Sequence, residues 1–547
     1  MRSTEGPRGV LRRLASDRRG NTAIVFAFAL LPIAMAAGGA MDLRRAWSNK
    51  SYLQDSADAA VLAAAKGYYS AAGKTRTERL DAARAVADAY MRQAVDRRSG
   101  ALEAPTWTLS FPEDSGEFIM QASAKSPAAF GGLFGIAALD VDAESVSSAG
   151  DRRVEVALVL DSTGSMAGKK LAELKRASTD FVDTLESAAA SHPKPDAVKI
   201  ALVPYNNAVK VGAEYANADW IDKAGASSIH YENLSALTVG KGLPKAERIQ
   251  GTRKLPTRLE LFKALNTNWA GCVESRPMPF DITNDTPDAS KPDTLYVPFF
   301  APDEPDRTHT DPHPRRDKQP LQNDYLDDGP LPADASKDWF KRQQNVDKYV
   351  AQPFKKGAYG AALGPNKECS VAPVIRLGTG FTSIRTGIKA MKAEGNTNIF
   401  IGLHWGWNAV SPTGPFGDGS AYGEKSLDKI IVLMTDGTNV HSSVGNPNNS
   451  PYASVGYLIK NRLGITSGSE KKRQDAMDDR LRKLCANVKG TGVIIYAIRV
   501  EVDPGASDVM ESCATSDEYF HDVQDASELD ETFDEIARKI LQIRLSR

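Results

Sequence analysis

The chain has 547 residues, with 68 Lys and Arg against 69 Asp and Glu, for a net charge of −1. At about 150 residues per domain this length allows three or four units, and the charge balance argues against a dedicated nucleic-acid binder, which carries a basic excess. A 41% hydrophobic content permits a large core, a mean hydropathy of −0.36 excludes a polytopic membrane protein but not a single span, and four cysteines exclude a disulfide-dense scaffold while leaving two bridges open outside the cytosol.

Gly20–Met41 is a run of 22 residues without a charge. As a helix rising about 1.5 Å per residue it reaches roughly 33 Å, enough to cross a bilayer core, and a spanning helix tolerates the single Pro32. Arg2, Arg8, Arg12, Arg13, Arg18 and Arg19 precede it. Arg44, Arg45 and Lys50 follow, and the imbalance predicts a cytoplasmic N-terminus and an exported body. A cleaved signal peptide is the competing reading, since Ala34-Met35-Ala36 offers a small-residue cleavage pattern; the apolar run is longer than the ~7–15 residues of a signal core. The expected division is a basic leader over 1–21, a transmembrane anchor over 22–41, a helical stalk with a small α+β unit over 42–150, and one large domain over 151–547.

Residues 43–98 read as helix, with Leu53, Ala57, Ala60, Val61 and Ala64 at helical spacing. That shallow alanine-rich stripe suits either packing within its own unit or a partner helix. Thr106–Val146 turns short and alternating, the signature of a small β-containing unit. Beyond it, Val154–Asp161, Ala197–Tyr205, Lys429–Asp436 and Val493–Val500 are near-continuous apolar runs, as buried parallel strands are. Helical patterns over 168–190, 470–490 and 526–543 accompany them. The expected fold class is α/β, an open, mostly parallel, doubly wound sheet. The stretch 206–375 breaks the rhythm, and 277–332 holds 12 of the 30 prolines. It reads as a large insertion emerging from one end of the sheet, with its Pro/Asp-rich part either functional or a poorly ordered excursion.

Ligands of open α/β sheets bind at the carboxyl ends of the strands. The first run ends in Asp161-Ser162-Thr163-Gly164-Ser165, and a later one in Thr435-Asp436-Gly437. Between them Gly395-Asn396-Thr397-Asn398 opens a helical stretch. Asp161, Thr163, Ser165, Thr397 and Asp436 together would make an all-oxygen cluster suited to a hard divalent cation, Mg²⁺ first, then Mn²⁺ or Ca²⁺. With only two carboxylates among its ligands, such an ion can still accept an acidic group from a partner.

DSTGS, GNTN and MTDG in this order resemble the metal-ion-dependent adhesion site of von Willebrand factor A domains. The resemblance implies direct coordination by the hydroxyls and largely water-mediated contacts from the aspartates. Thr163 stands where that family usually has Ser, which keeps the hydroxyl and adds a methyl. Thr397 lies 236 positions after Asp161, which implies an insertion of roughly 150 residues relative to a compact domain of about 100–200. The N-terminal run from Arg18 to Ala46, followed by LQDSADAAVLAAA, resembles the anchor of TadE/TadG-like proteins of tight-adherence (Flp-type) pilus assembly. Trp269–Arg276 and Gly402–Trp407 also look like patterns of that group. The TadG-like resemblance implies an inner-membrane protein with its body in the periplasm or at the cell surface. Its expected partners are pilus-assembly components or a ligand presenting an acidic residue.

Cys272 and Cys369 flank the Pro-rich excursion, and Cys485 and Cys513 flank the last strand. An exported body predicts those two pairings, although four cysteines allow three connectivities and free thiols remain an alternative. His309 and His313 are spaced i, i+4, but Pro312 and Pro314 oppose the helix a zinc site would need. His404 beside Trp405 and Trp407 reads as an aromatic cluster. No H-E-x-x-H, G-x-S-x-G or P-loop motif is present. A hydrolase triad built on Ser165 would leave Thr163 and Thr397 unexplained. Three readings follow: a membrane-anchored, non-enzymatic assembly component with a metal-dependent binding site, a free-standing adhesin or structural protein whose A domain needs no metal, and a metal-assisted hydrolase.

Overall fold

The computed structural model describes residues 20–71, 75–112, 117–148, 153–190, 192, 194, 196–235, 248–249, 252–253, 255–306, 323–328, 338–351, 363–424, 426–502 and 508–543. His309 and His313, like much of the Pro/Asp-rich stretch, lie outside the described residues. The chain divides into two compact units, 1–151 with 543–547, and 152–542.

In the first unit, α1 (Gly20–Ser70) and α2 (Arg76–Arg97) pack on an antiparallel sheet β1 (Glu103–Ser110), β2 (Glu117–Pro127) and β3 (Ala138–Ser148), in the order β1-β2-β3. The alanine stripe packs inside this unit. Leu53, Ala57, Ala60, Val61 and Ala64 share a core with Ala83, Ala87 and Met91 of α2 and Phe118, Met120 and Val141 of the sheet. One sequence expectation needs correction. Residues 43–98 are not one helix: Thr75 begins a new one, its side chain accepting from Glu78 N while the Glu78 carboxylate accepts from Thr75 N at 2.8 Å. α1 runs unbroken from Gly20 through 22–41 into the polar, packed segment beyond Asp42. Among the described residues no helix is long and apolar enough to cross a membrane; the side chains of 20–25, 27 and 31 lie outside that description.

The second unit is built on a six-stranded sheet. Its strands are β4 (Arg153–Asp161), β5 (Val198–Tyr205), β6 (Ile375–Gly378), β7 (Leu427–Thr435), β8 (Ile494–Val500) and β9 (Phe520–Val523), in the order β6-β5-β4-β7-β8-β9. All pairs are parallel except β6 with β5. Residues alternate between two cores, as a period of two requires. Val154, Val156, Leu158 and Leu160 of β4 face α3 (Lys169–Ala190), α4 (Phe381–Ala390) and α8 (Leu529–Ile543). Ala157 and Val159 face α5 (Ile399–Val410), α6 (Glu470–Gly490) and α7 (Val509–Cys513). This is the expected open α/β architecture. The short strands β6 and β9 were absent from the sequence reading.

All twelve residues of α5 are buried. A helix that is apolar all round needs cover on every side, and here the sheet lies on one side and the insertion on the other. Trp220, Phe262, Tyr296, Phe300, Tyr325 and Tyr349 of the insertion join the same core as Trp405 and Trp407. Where it is described, the insertion is therefore a layer of the domain, not a loose excursion. Cys272 pairs with Cys369 and Cys485 with Cys513, with Cα–Cα distances of 5.8 and 5.0 Å.

Two glycines one turn apart let α5 lie on the sheet. A Cβ on Gly402 would stand 2.6 Å from the Tyr205 ring, and one on Gly406 would overlap Val159. Replacing Gly406 by Ala should therefore lower the stability of the unit by about 1–3 kcal/mol, the usual cost of overpacking. Urea unfolding of the variant beside the wild type measures this.

Candidate metal centre

β4 lies between β5 and β7, so the chain leaves its carboxyl end with neighbours on both sides. That edge is where an open α/β sheet forms its crevice. Asp161 is the last residue of β4, and Asp436 follows the last residue of β7. Both are buried, with Ser162, Thr163 and Thr397, whereas Gly164 and Ser165 are exposed.

The Asp161 carboxylate is held at both oxygens. Thr163 N donates to Oδ1 at 2.8 Å, and Thr435 Oγ1 donates to Oδ2 at 2.7 Å. The first bond turns the chain so that Thr163 and Ser165 come together, their hydroxyl oxygens 2.9 Å apart. Ser165 Oγ then donates to Asp436 Oδ1 at 2.7 Å. Gly164 N donates to Gly395 O and Glu394 N donates to Ser162 O, each at 2.9 Å, which fastens the 394–398 loop to this turn. Gly395 has φ +81°, and a Cβ there would stand 2.9 Å from Asn206 Nδ2; the position combines a left-handed backbone with a close approach. Thr397 is drawn in from the other side, its carbonyl accepting from Val440 N at 2.8 Å, and its Oγ1 lies 3.6 Å from where a Cβ on Gly437 would stand. Four of the five sequence candidates thus form one chain of hydrogen bonds, and Thr397 lies on the adjoining loop.

Burial pushes the Asp161 carboxyl up to about 6, and the charge of Asp436 adds to the effect, against the opposing bonds from Thr163 and Thr435. The donor set suits a hard cation: two carboxylates and three hydroxyls, with the carboxylates raising each other's cost. A site of this kind draws few acids from the protein, and among the described residues no group of three or more His, Cys, Asp or Glu could hold a metal.

Several site residues were missed at the sequence level. Lys170 Nζ lies 2.8 Å from Asp436 Oδ2 and 3.6 Å from Glu501 Oε2. Burial alone lowers the Lys170 ammonium, but Asp436 and Glu501 outweigh it and leave the pKa raised. Its signal was a pair of lysines opening α3, where a helix dipole disfavours positive charge. Asn439 and Asn398 were also missed. Asn439 Oδ1 accepts from Ile399 N at 2.9 Å and its Nδ2 donates to Asp478 at 2.7 Å, while Asn398 caps α5 at Ile401 N and donates to Ser454. His404 lies in the aromatic layer as expected, its Nε2 2.8 Å from Tyr296 Oη.

Residues 20–67 match the family model of putative Flp pilus-assembly TadE/G-like proteins. The match lies wholly within α1. No curated protein matches the chain. Among solved structures, similar ones include the von Willebrand factor domain of the type V pili tip protein Mfa5 from Porphyromonas gingivalis, at 11% identity, TM-score 0.31, 72% of this chain and 97% of that one. The pilus adhesin RrgA from Streptococcus pneumoniae matches at 8% identity and TM-score 0.31, over 80% of this chain and 50% of its own. Proximal thread matrix protein 1 from the mussel byssus, in a form with a zinc-occupied MIDAS motif, matches at 12% and TM-score 0.27, over 71% and 48%. Similarities this low carry no argument, and the fold rests on the sheet order itself.

His441, on the loop that follows Asp436, is buried, and burial with the nearby Arg473 charge pushes its pKa down to about 4. A lowered histidine binds its proton less readily folded than unfolded, so its contribution is complete above pH ~6.5 and lost as the pH falls to about 4. Relative to a His441→Gln variant, the wild type should therefore lose roughly 3 kcal/mol of stability between pH 7 and 4. Parallel denaturation curves across that range check the sign.

Proposed function

We infer that this protein is a membrane-anchored, extracytoplasmic component of tight-adherence pilus assembly. It binds a protein partner through a divalent cation, Mg²⁺ first, held by Asp161, Thr163, Ser165, Thr397 and Asp436. The observation that carries the binding reading is the hydrogen-bonded chain Asp161–Thr163–Ser165–Asp436 at the carboxyl ends of adjacent central strands, with Ser165 open to solvent. The cation would supply a Lewis-acidic centre for a partner's carboxylate. The residues of the chain hold it in place and leave the Ser165 side accessible.

The pilus assignment is supported by the TadE/G-like match over 20–67. The membrane assignment is supported by the charge-free run and by its described apolar side chains, since Phe26, Phe28, Leu30 and Ile33 are all more than half exposed. Two disulfides agree with an exported body. A non-enzymatic role is favoured because, among the described residues, Ser165 bonds Thr163 and Asp436 and no histidine base.

Asp161→Ala should reduce Mg²⁺ or Mn²⁺ affinity by at least about tenfold, the scale of disturbed metal ligation, in calorimetric titration. It should also abolish chelator-sensitive recovery of pilus-assembly components with the exported body. Partner capture that is unchanged both in this variant and in chelator would support the alternative, a surface adhesin whose A domain works without metal.

A further inference from the structure

The hairpin joining β2 to β3 is unusual in composition. From Ser126 to Leu139 the chain carries no charge and reads SPAAFGGLFGIAAL, where connections between strands are ordinarily polar. The turn is also tightly anchored. The Asp42 carboxylate accepts the backbone N–H groups of Ala129, Phe130 and Gly131 at 2.8–2.9 Å. The Phe130 ring covers Gly38, where a Cβ would stand 2.5 Å from it. Even so, Phe130 and Ile136 remain 40% and 47% exposed. Three donors and a glycine contact hold an apolar turn in place without hiding Phe130 and Ile136.

Its position on α1 is informative. The first residue of α1 described as buried is Gly38, and the burial comes from this turn. Gly38 is three residues before Met41, the end of the charge-free run, or about 4.5 Å along a helix axis. Arg44 and Arg45 follow, exposed, with Trp47 69% exposed beside them. This is the order of a membrane boundary: apolar helix, then basic residues and an aromatic at headgroup level. A bilayer that covers α1 as far as Met41 therefore reaches the turn at Gly38, within the roughly 5–10 Å depth that interfacial segments occupy.

We propose that the 128–137 turn is a second membrane-contacting element. It rests Phe130 and Ile136 in the lipid interface beside α1, while Arg44 and Arg45 meet the phosphate groups. It rests on the reading of α1 as an anchor, and adds a fixed two-point seat. A single helix could swivel, whereas a helix and a turn tied through Asp42 set the small unit at one angle to the bilayer.

The test uses the full-length protein in phosphatidylcholine and phosphatidylglycerol vesicles. All four native cysteines are paired in disulfides, so an introduced one takes an environment-sensitive fluorophore selectively. Labels go at Ile33→Cys in α1, Ile136→Cys in the turn and Glu103→Cys on β1, each read against lipids brominated at shallow and deep positions. The expected result is deep quenching at 33, shallow quenching with a blue shift at 136, and none at 103. Quenching at 33 with a water-like signal at 136 overturns the turn's role and leaves the anchor standing. Absence of quenching at both 33 and 136 overturns the anchor and the turn together.

Discussion

The carboxyl edge of the large sheet depends on one buried charge. The Asp161 carboxylate ends the central strand β4 and is fully buried. Removing an ion from water costs several kcal/mol even after relaxation, and the cost must be met by hydrogen bonds or an opposite charge. The chain supplies two donors, Thr163 N and Thr435 Oγ1. It then adds a second buried carboxylate, Asp436, and a single ammonium, Lys170, to balance the two. Glu501 shares that ammonium at 3.6 Å, so Lys170 offsets only part of the negative charge at a place where Ser165 meets solvent. That imbalance gives the loops after β4, before α5 and after β7 a shared reason to be held in place. A cation, as proposed for this site, would offset the remaining negative charge.

The insertion forms a second wall for those loops. Arg258, buried at its helix start, pairs with Glu274, and Tyr452 donates to the same carboxylate. Arg462 reaches both Glu232 and Glu274, the latter at 2.6 Å. Tyr457 and Asn446 both donate to Glu304 at 3.1 Å. Tyr452, Tyr457 and Arg462 belong to the stretch after Asp436, so these bonds clamp it against the insertion. Buried ion pairs are weak net stabilisers, but breaking one typically costs 3–5 kcal/mol. Their effect here is to permit one arrangement of the 437–465 segment and penalise others.

The parts of this protein that were legible in its sequence are those where local pattern and final environment coincide. β4, β5, β7 and β8 are buried on both faces, so their apolar runs stood out, and the acids at the ends of β4 and β7 pointed to the site. The edge strands β6 and β9 have only four residues each, too short to show a period. Lys170 and Asn439 were hidden for another reason. Each is an ordinary polar residue whose role comes from a partner far along the chain, Asp436 for one and Ile399 and Asp478 for the other. The break between α1 and α2 was readable from Thr75 and Glu78, but the alanine-rich helical signal on both sides masked it.

The Cys272–Cys369 bridge joins two points 97 positions apart across a Cα separation of 5.8 Å. Close to it, Val374 N donates to Lys210 O and Val211 N donates to Gly271 O. The excursion therefore leaves and re-enters the sheet through a narrow, covalently closed neck. The neck ties the start of the excursion to its end, next to where β5 and β6 pair. In evolutionary terms the neck works as a cassette boundary. The contents of the loop can diverge only at positions that join neither the layer over α5 nor the clamp on the 437–465 segment, since Tyr296, Phe300, Glu274 and Glu304 all lie between the two cysteines.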